Sequence, residues 1–135
     1  MQTTTSDRLT VRAEEDVVKV RQATRSLAQK TGLNLVDQTK VVTAASELAR
    51  NTLVYGGGGE VLIEAISDGM RSGVRLTFED KGPGIADIEL AMKDGFTSGT
   101  GLGLGLSGAK RLANEFRIES RLGEGTTVVI TKWKG

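Results

Sequence analysis

Apolar positions along this chain keep two different rhythms. In "DRLTV", Leu9 and Val11 alternate with polar neighbours, the pattern of a half-buried edge strand. From Glu14 to Lys30 the spacing becomes helical. Val17, Val20, Thr24 and Leu27 share a face, acids come first and bases last, and Gly32 suits the C-terminal stop. A second helix is expected from about Val36 to Val54. Its inner stripe is Val42, Ala45, Leu48, Ala49 and Thr52, and the glycines 56–59 end it. "EVLIEAIS" and "GVRLTFED" then alternate like strands around "DGMRSG", which reads as a hairpin. The lone proline follows in "KGPGI", then a short acidic segment and a glycine-rich stretch. A third helix is expected from Leu102 to Phe116. "FRIESR", the turn "LGEG" and "TTVVITKWK" close the chain as a second hairpin. Helices and paired strands segregate. The pattern therefore predicts an α+β two-layer sandwich, with helices on one face of a mixed, mostly antiparallel sheet, formed by residues 1–135 as one domain.

Composition narrows the chemistry more than the fold. The 135 residues carry a net charge of +1, which gives no basic field for nucleic acid. Three Phe, one Trp and one Tyr make no base-stacking platform. No cysteine is present, so disulfides, cysteine nucleophiles and thiolate metal sites are excluded. No histidine is present either, which removes Ser-His-Asp triads, histidine metal ligands and phosphohistidine intermediates. A general base must then be a carboxylate, a lysine or a tyrosine. "MQTTTSDRLTV" lacks the signal-peptide pattern, and no run approaches the roughly 18 apolar residues of a membrane span. A cytoplasmic protein without membrane contact is the expectation.

Three segments carry candidate chemistry. Glu47 and Asn51 stand four apart on the second helix, hence one turn apart on one face. They could be a solvated surface pair. Ala44, Ala45 and Ala49 nearby would instead clear space for a ligand. In "EDKGPGI", Asp80 ends a strand, while Gly82 and Gly84 allow positive φ or close backbone approach. A tight turn with a capping aspartate is the plain alternative. In "GTGLGLGL", leucines at 102, 104 and 106 alternate with glycines at 101, 103 and 105. The leucines can bury while the glycines present N–H groups at a helix start, a ready anion site. A flexible loop is the alternative. Gly103, Gly105 and Gly108 also spell GxGxxG. The polar stretch before them is unlike the strand that a dinucleotide fingerprint needs, and no GK[ST] follows for a Walker loop.

Taken in order, ExxxN, DxGxG and GxGxG before a helix resemble the three nucleotide boxes of the GHKL ATPase/kinase superfamily. That superfamily includes the ATP modules of gyrase, Hsp90, MutL and the sensor histidine kinases. The wider text, "DQTKVVTAASELARNTLVYGGG" and "GTGLGLGLSGAKRLANEF", looks closest to RsbT-type anti-sigma-regulatory serine/threonine kinases. The resemblance implies ATP and Mg²⁺ as cofactors. By it, Asn51 matches the Mg²⁺ ligand and Asp80 the acceptor of the adenine amino group. Gly82 and Gly84 match the glycines beside the base, and Thr100, Gly101, Leu102, Gly103, Leu104 and Gly105 the loop over the phosphates. Thr126 and Thr127 match threonines reaching the adenine edge, and Glu47 the catalytic base. The segment 87–100 is expected to act as a lid that ATP orders. Lys110, Arg111 and Arg50 could be solvated or could touch phosphate or a partner.

The missing histidine separates the chain from sensor kinases, and its length from types with a transducer domain. The resemblance then implies a protein kinase acting on a STAS-domain antagonist, switching partners afterwards and activating a PP2C-type phosphatase. An anti-sigma kinase that sequesters a sigma factor, and a nucleotide-gated binding protein without catalysis, are the alternatives.

Overall fold

A computed structural model describes residues 2–85, 88, 92 and 105–135. Strand β1 (Gln2–Val11) leads into α1 (Glu14–Thr31) and α2 (Leu35–Val54). The hairpin β2 (Gly59–Ser67) and β3 (Ser72–Asp80) follows, then α3 (Gly105–Leu112) and the hairpin β4 (Glu115–Arg121) and β5 (Gly125–Trp133). The strands form one sheet in the order β1-β2-β3-β5-β4, and each pairing is antiparallel. β1 is an edge strand, as its alternation predicts, although it starts at Gln2 and exposes its first seven residues.

Helix ends follow local chemistry. Asp16 reaches back from the first turn of α1 to accept the Arg12 and Ala13 N–H groups, so it needs no polar residue at the cap. Those bonds, opposed by partial burial, hold its carboxyl below the ordinary range. Gly32 ends α1 at φ 94°, its N–H bonded to the Ala28 and Gln29 carbonyls. Asn34 caps α2 by accepting the Asp37 N–H at 2.8 Å.

One layer of core lies between helices and sheet. Val17 and Val20 from α1 and Val41, Ala45 and Leu48 from α2 meet Val61, Ile63, Val74, Leu76, Phe78, Val128 and Ile130. The α2 stripe is buried at all five predicted positions. In α1, Ala28 is buried where Leu27 was expected to lead, and Leu27 packs at the margin.

The third helix is shorter than its sequence suggests. It ends at Leu112, and Phe116 belongs to β4 opposite Ile130. Asn114 makes the break. Its N–H donates to the Thr131 carbonyl at 2.9 Å, and its side-chain oxygen accepts the Trp133 N–H at 2.7 Å. These bonds start the β4 register before another helical turn can form. Among the described residues, no helix is long and apolar enough to cross a membrane.

Candidate nucleotide-binding site

α2 holds Glu47 and Asn51 on one face, one turn apart. Glu47 is half-buried, and its Oε2 is buried without a hydrogen-bond partner among the described residues. Burial pushes its carboxyl above the ordinary range, and the positive charge of Arg50 only partly opposes this. Arg50 itself pairs with Glu14 at 3.1 Å. An orphaned, desolvated carboxylate oxygen is costly to a fold that has no use for it. Ala44, Ala45 and Ala49 do not clear a ligand space as expected. All three are fully buried in the core, where small side chains let α2 sit close to its neighbours.

Asp80 is the last residue of β3. It shares strand parity with Val74, Leu76 and Phe78, so it lies on the helix-facing side of the sheet. Its Oδ1 accepts the Gly82 N–H at 2.9 Å. Gly84 takes φ 78°, and a Cβ there would stand 2.2 Å from the Arg121 carbonyl oxygen. A Cβ on Gly82 would stand 2.7 Å from the Cα of Gly56. Both glycines of this box are therefore required by close approach.

Thr126 is the direct cross-strand partner of Asp80, and shares its face. Thr127 pairs with Glu79 and, by strand alternation, sits on the opposite face. Asp80 and Thr126 thus share one face of the sheet and Thr127 the other, because consecutive strand residues alternate. The Thr126 hydroxyl lies 2.8 Å from Ser120 Oγ, which also accepts the Ile85 N–H at 2.7 Å and donates to the Gly125 carbonyl at 3.1 Å. A hollow of about 510 Å³ opens at this end of the sheet, walled in part by Asp80, Ile88, Ser120, Thr126 and Thr127. Glu47 and Asn51 stand outside its wall.

α3 begins at Gly105 with φ 58°, and Leu106 and Ala109 are buried against the core. Lys110 and Arg111 lie exposed in its last turn. The expected phosphate loop, Thr100 to Gly105, lies outside the described residues apart from Gly105, and the expected lid over 87–100 apart from Ile88 and Met92. Met92 donates its N–H to the Ile88 carbonyl at 2.9 Å and packs against the core.

Gly56 and Ser120 were not singled out by sequence. A run of four glycines after α2 exceeds what a helix stop requires, and that excess was the available signal for Gly56. Ser120 had none, since its role depends on contacts across 35 residues of chain.

A family model for histidine kinase-, DNA gyrase B- and HSP90-like ATPases matches residues 36–134. The chain belongs to this ATPase family, in its branch of ATP-dependent serine/threonine protein kinases. It is 46% identical over 123 residues to the serine/threonine-protein kinase RsbT of Bacillus subtilis, covering 91% of this chain and 92% of that one. The anti-sigma F factor of a Thermoanaerobacter strain is 35% identical over 100 residues, covering 70% of this chain and 69% of the relative. Among solved structures, the RsbU and RsbW domains of a Mycobacterium tuberculosis protein superpose with a TM-score of 0.67 at 23% identity. That match covers 98% of this chain and 34% of the solved one, so this chain spans about a third of its length. The catalytic domain of the histidine kinase ThkA gives 0.53 at 21% identity, covering 99% and 97%. These two likenesses speak for the fold alone.

Proposed function

We propose that this kinase uses Mg-ATP to phosphorylate a serine or threonine on a STAS-domain antagonist protein. It then changes partners, activating a PP2C-type phosphatase within a sigma-factor pathway. The observation that carries the reading is the buried Oε2 of Glu47, without a hydrogen-bond partner among the described residues and one helical turn from Asn51, in a chain without histidine. A carboxylate held this way, with its proton affinity raised, suits a general base that orients and deprotonates an attacking hydroxyl.

Asn51 would hold Mg²⁺ through its side-chain oxygen, a hard donor of the kind this ion prefers, with phosphates and water supplying the rest. Among the described residues, no three or more His, Cys, Asp or Glu side chains gather as a metal-holding group. Mg²⁺ held there would supply neutralisation of the phosphate charge. Asp80 would accept from the adenine amino group, with Thr126 beside it on the sheet and Gly82 and Gly84 allowing the close-packed turn that follows it. By the resemblance, Gly101, Gly103 and Gly105, with Thr100, Leu102 and Leu104, would be the residues that cover the phosphates.

Incubation with γ-labelled ATP, Mg²⁺ and a panel of purified STAS-domain proteins tests the acceptor. Label should appear on a serine or threonine of one panel member and be lost in Glu47→Gln. ATP turnover with no transfer to any member would remove the STAS assignment. The matches to anti-sigma F factors favour a second reading, in which the chain binds a sigma factor directly. The match to RsbT covers more of both chains, so the first reading is preferred.

A further inference from the structure

The run Gly56–Gly59 does more than stop α2. Gly57 and Gly58 have φ of 72° and 104°, a backbone that favours glycine for conformational reasons. Gly56 is different. It is not among the glycines of positive φ, so its backbone would accept an ordinary residue. Its missing Cβ matters for space alone. A Cβ built there would stand 2.4 Å from Asp80 Cγ, 2.5 Å from Asp80 Cβ and 2.7 Å from Asp80 Oδ2. The three nearest atoms all belong to one short side chain, which has no flexible end to swing away.

The same aspartate is held from its other side. Its Oδ1 accepts the Gly82 N–H at 2.9 Å, and Gly82 in turn closes on the Gly56 backbone. Gly56 is anchored to the helix through its N–H, which donates to the Asn51 carbonyl at 3.2 Å. The Asp80 carboxylate thus lies between a glycine wall hung from α2 and the N–H of its own turn.

From this packing we propose that Gly56 is a specificity-determining positioning residue. It fixes the direction of the Asp80 carboxylate, and so the preference for a purine bearing a 6-amino group, without touching the nucleotide. The proposal rests on the reading of Asp80 as the adenine contact. A methyl at residue 56 displaces the carboxylate by the overlap above, and a hydrogen bond to an amino group tolerates little misalignment. The loss should therefore fall on recognition of the base and spare the phosphate interactions.

The test compares two nucleotides, ATP and purine riboside triphosphate, which carries hydrogen in place of the 6-amino group. Their affinities are measured by calorimetry on the full chain. The wild type should prefer ATP, and Gly56→Ala should reduce that preference by about 10-fold, chiefly through weaker ATP binding. Gly57→Ala, whose Cβ would meet nothing within 4 Å, should leave the preference unchanged whatever it does to stability. A Gly56→Ala protein that keeps the wild-type ratio overturns the proposal. A wild-type ratio of one would overturn the Asp80 reading, and the role of Gly56 with it.

A melting cycle covers the case in which Gly56→Ala folds poorly. Asp80→Gly removes all three atoms that the new methyl would strike. Gly56→Ala should then lower Tm in the native background and have little effect in the Asp80→Gly background. Equal losses in both backgrounds would show that residue 56 does not act through Asp80.

Discussion

Asp80 and Thr126 face each other directly across the β3–β5 ladder, on the side of the sheet that carries the helices. Thr126 is tied to Ser120 and Asp80 to Gly82, so two polar groups from distant parts of the chain are held as one edge. That edge is the proposed reader of the base.

Replacing Asp80 by Asn tests the reader with little disturbance of the turn. An amide oxygen can still accept the Gly82 N–H, while the charge-assisted bond to an amino group is lost. ATP binding should weaken by about 1–3 kcal/mol. The wild type should bind ATP well and GTP poorly in the same calorimetric titration, and equal binding of the two would remove this role.

Metal and base should separate on α2. Asn51→Ala is expected to abolish Mg²⁺-dependent ATP binding and all transfer with it. Glu47→Gln should leave ATP binding nearly intact while transfer falls by about 10²-fold or more. Binding and single-turnover assays on both variants decide the matter. Two variants equally unable to bind ATP would contradict the division of labour.

Glu47 also predicts a pH dependence. Its carboxyl is raised in the folded state, so folding favours the protonated form. The stability linked to this group is present at acid pH and lost as pH rises through the raised pKa. Glu47→Gln should therefore melt above the wild type at about pH 8, by no more than about 1 kcal/mol since the side chain is only half-buried. The gain should vanish as pH falls below the ordinary carboxylate range. A gain that grows in acid would mean the sign is wrong.

Ser120→Ala removes the hydroxyl shared by Ile85, Gly125 and Thr126. The Ile85 N–H loses its partner, and stability should drop by about 1 kcal/mol, a few degrees in Tm. Ser120→Thr keeps the hydroxyl and should recover most of that loss. Failure of threonine to do better than alanine would show that packing, and not the hydroxyl, matters here.

Gly84 and Gly123 form a matched pair, both at φ 78°. Only Gly84 is crowded, since a Cβ on Gly123 would meet nothing within 4 Å. Gly123→Ala should cost about 1 kcal/mol for backbone conformation alone. Gly84→Ala should cost clearly more, because its methyl would strike the Arg121 carbonyl. Equal losses in denaturant melts would deny the close approach.

By itself, the sequence determined the elements and their inner faces. Val42, Ala45, Leu48, Ala49 and Thr52 are buried as their 3.6-residue spacing requires, and both hairpins form where turn residues interrupt alternation. It also offered candidate site residues, since Glu47, Asn51 and Asp80 stand in ordered motifs that a single chain displays. What it could not decide depends on residues far apart in the chain. The third helix stops at Leu112 because Asn114 bonds to Thr131 and Trp133, partners that local propensity does not see. Thr126 shares a face with Asp80, and Thr127 with Glu79, because the register of β5 on β3 fixes which residues share a face. The three alanines of α2 serve the core, and Gly56 serves Asp80, for the same reason: a small residue announces that something comes close, and only the tertiary structure says what.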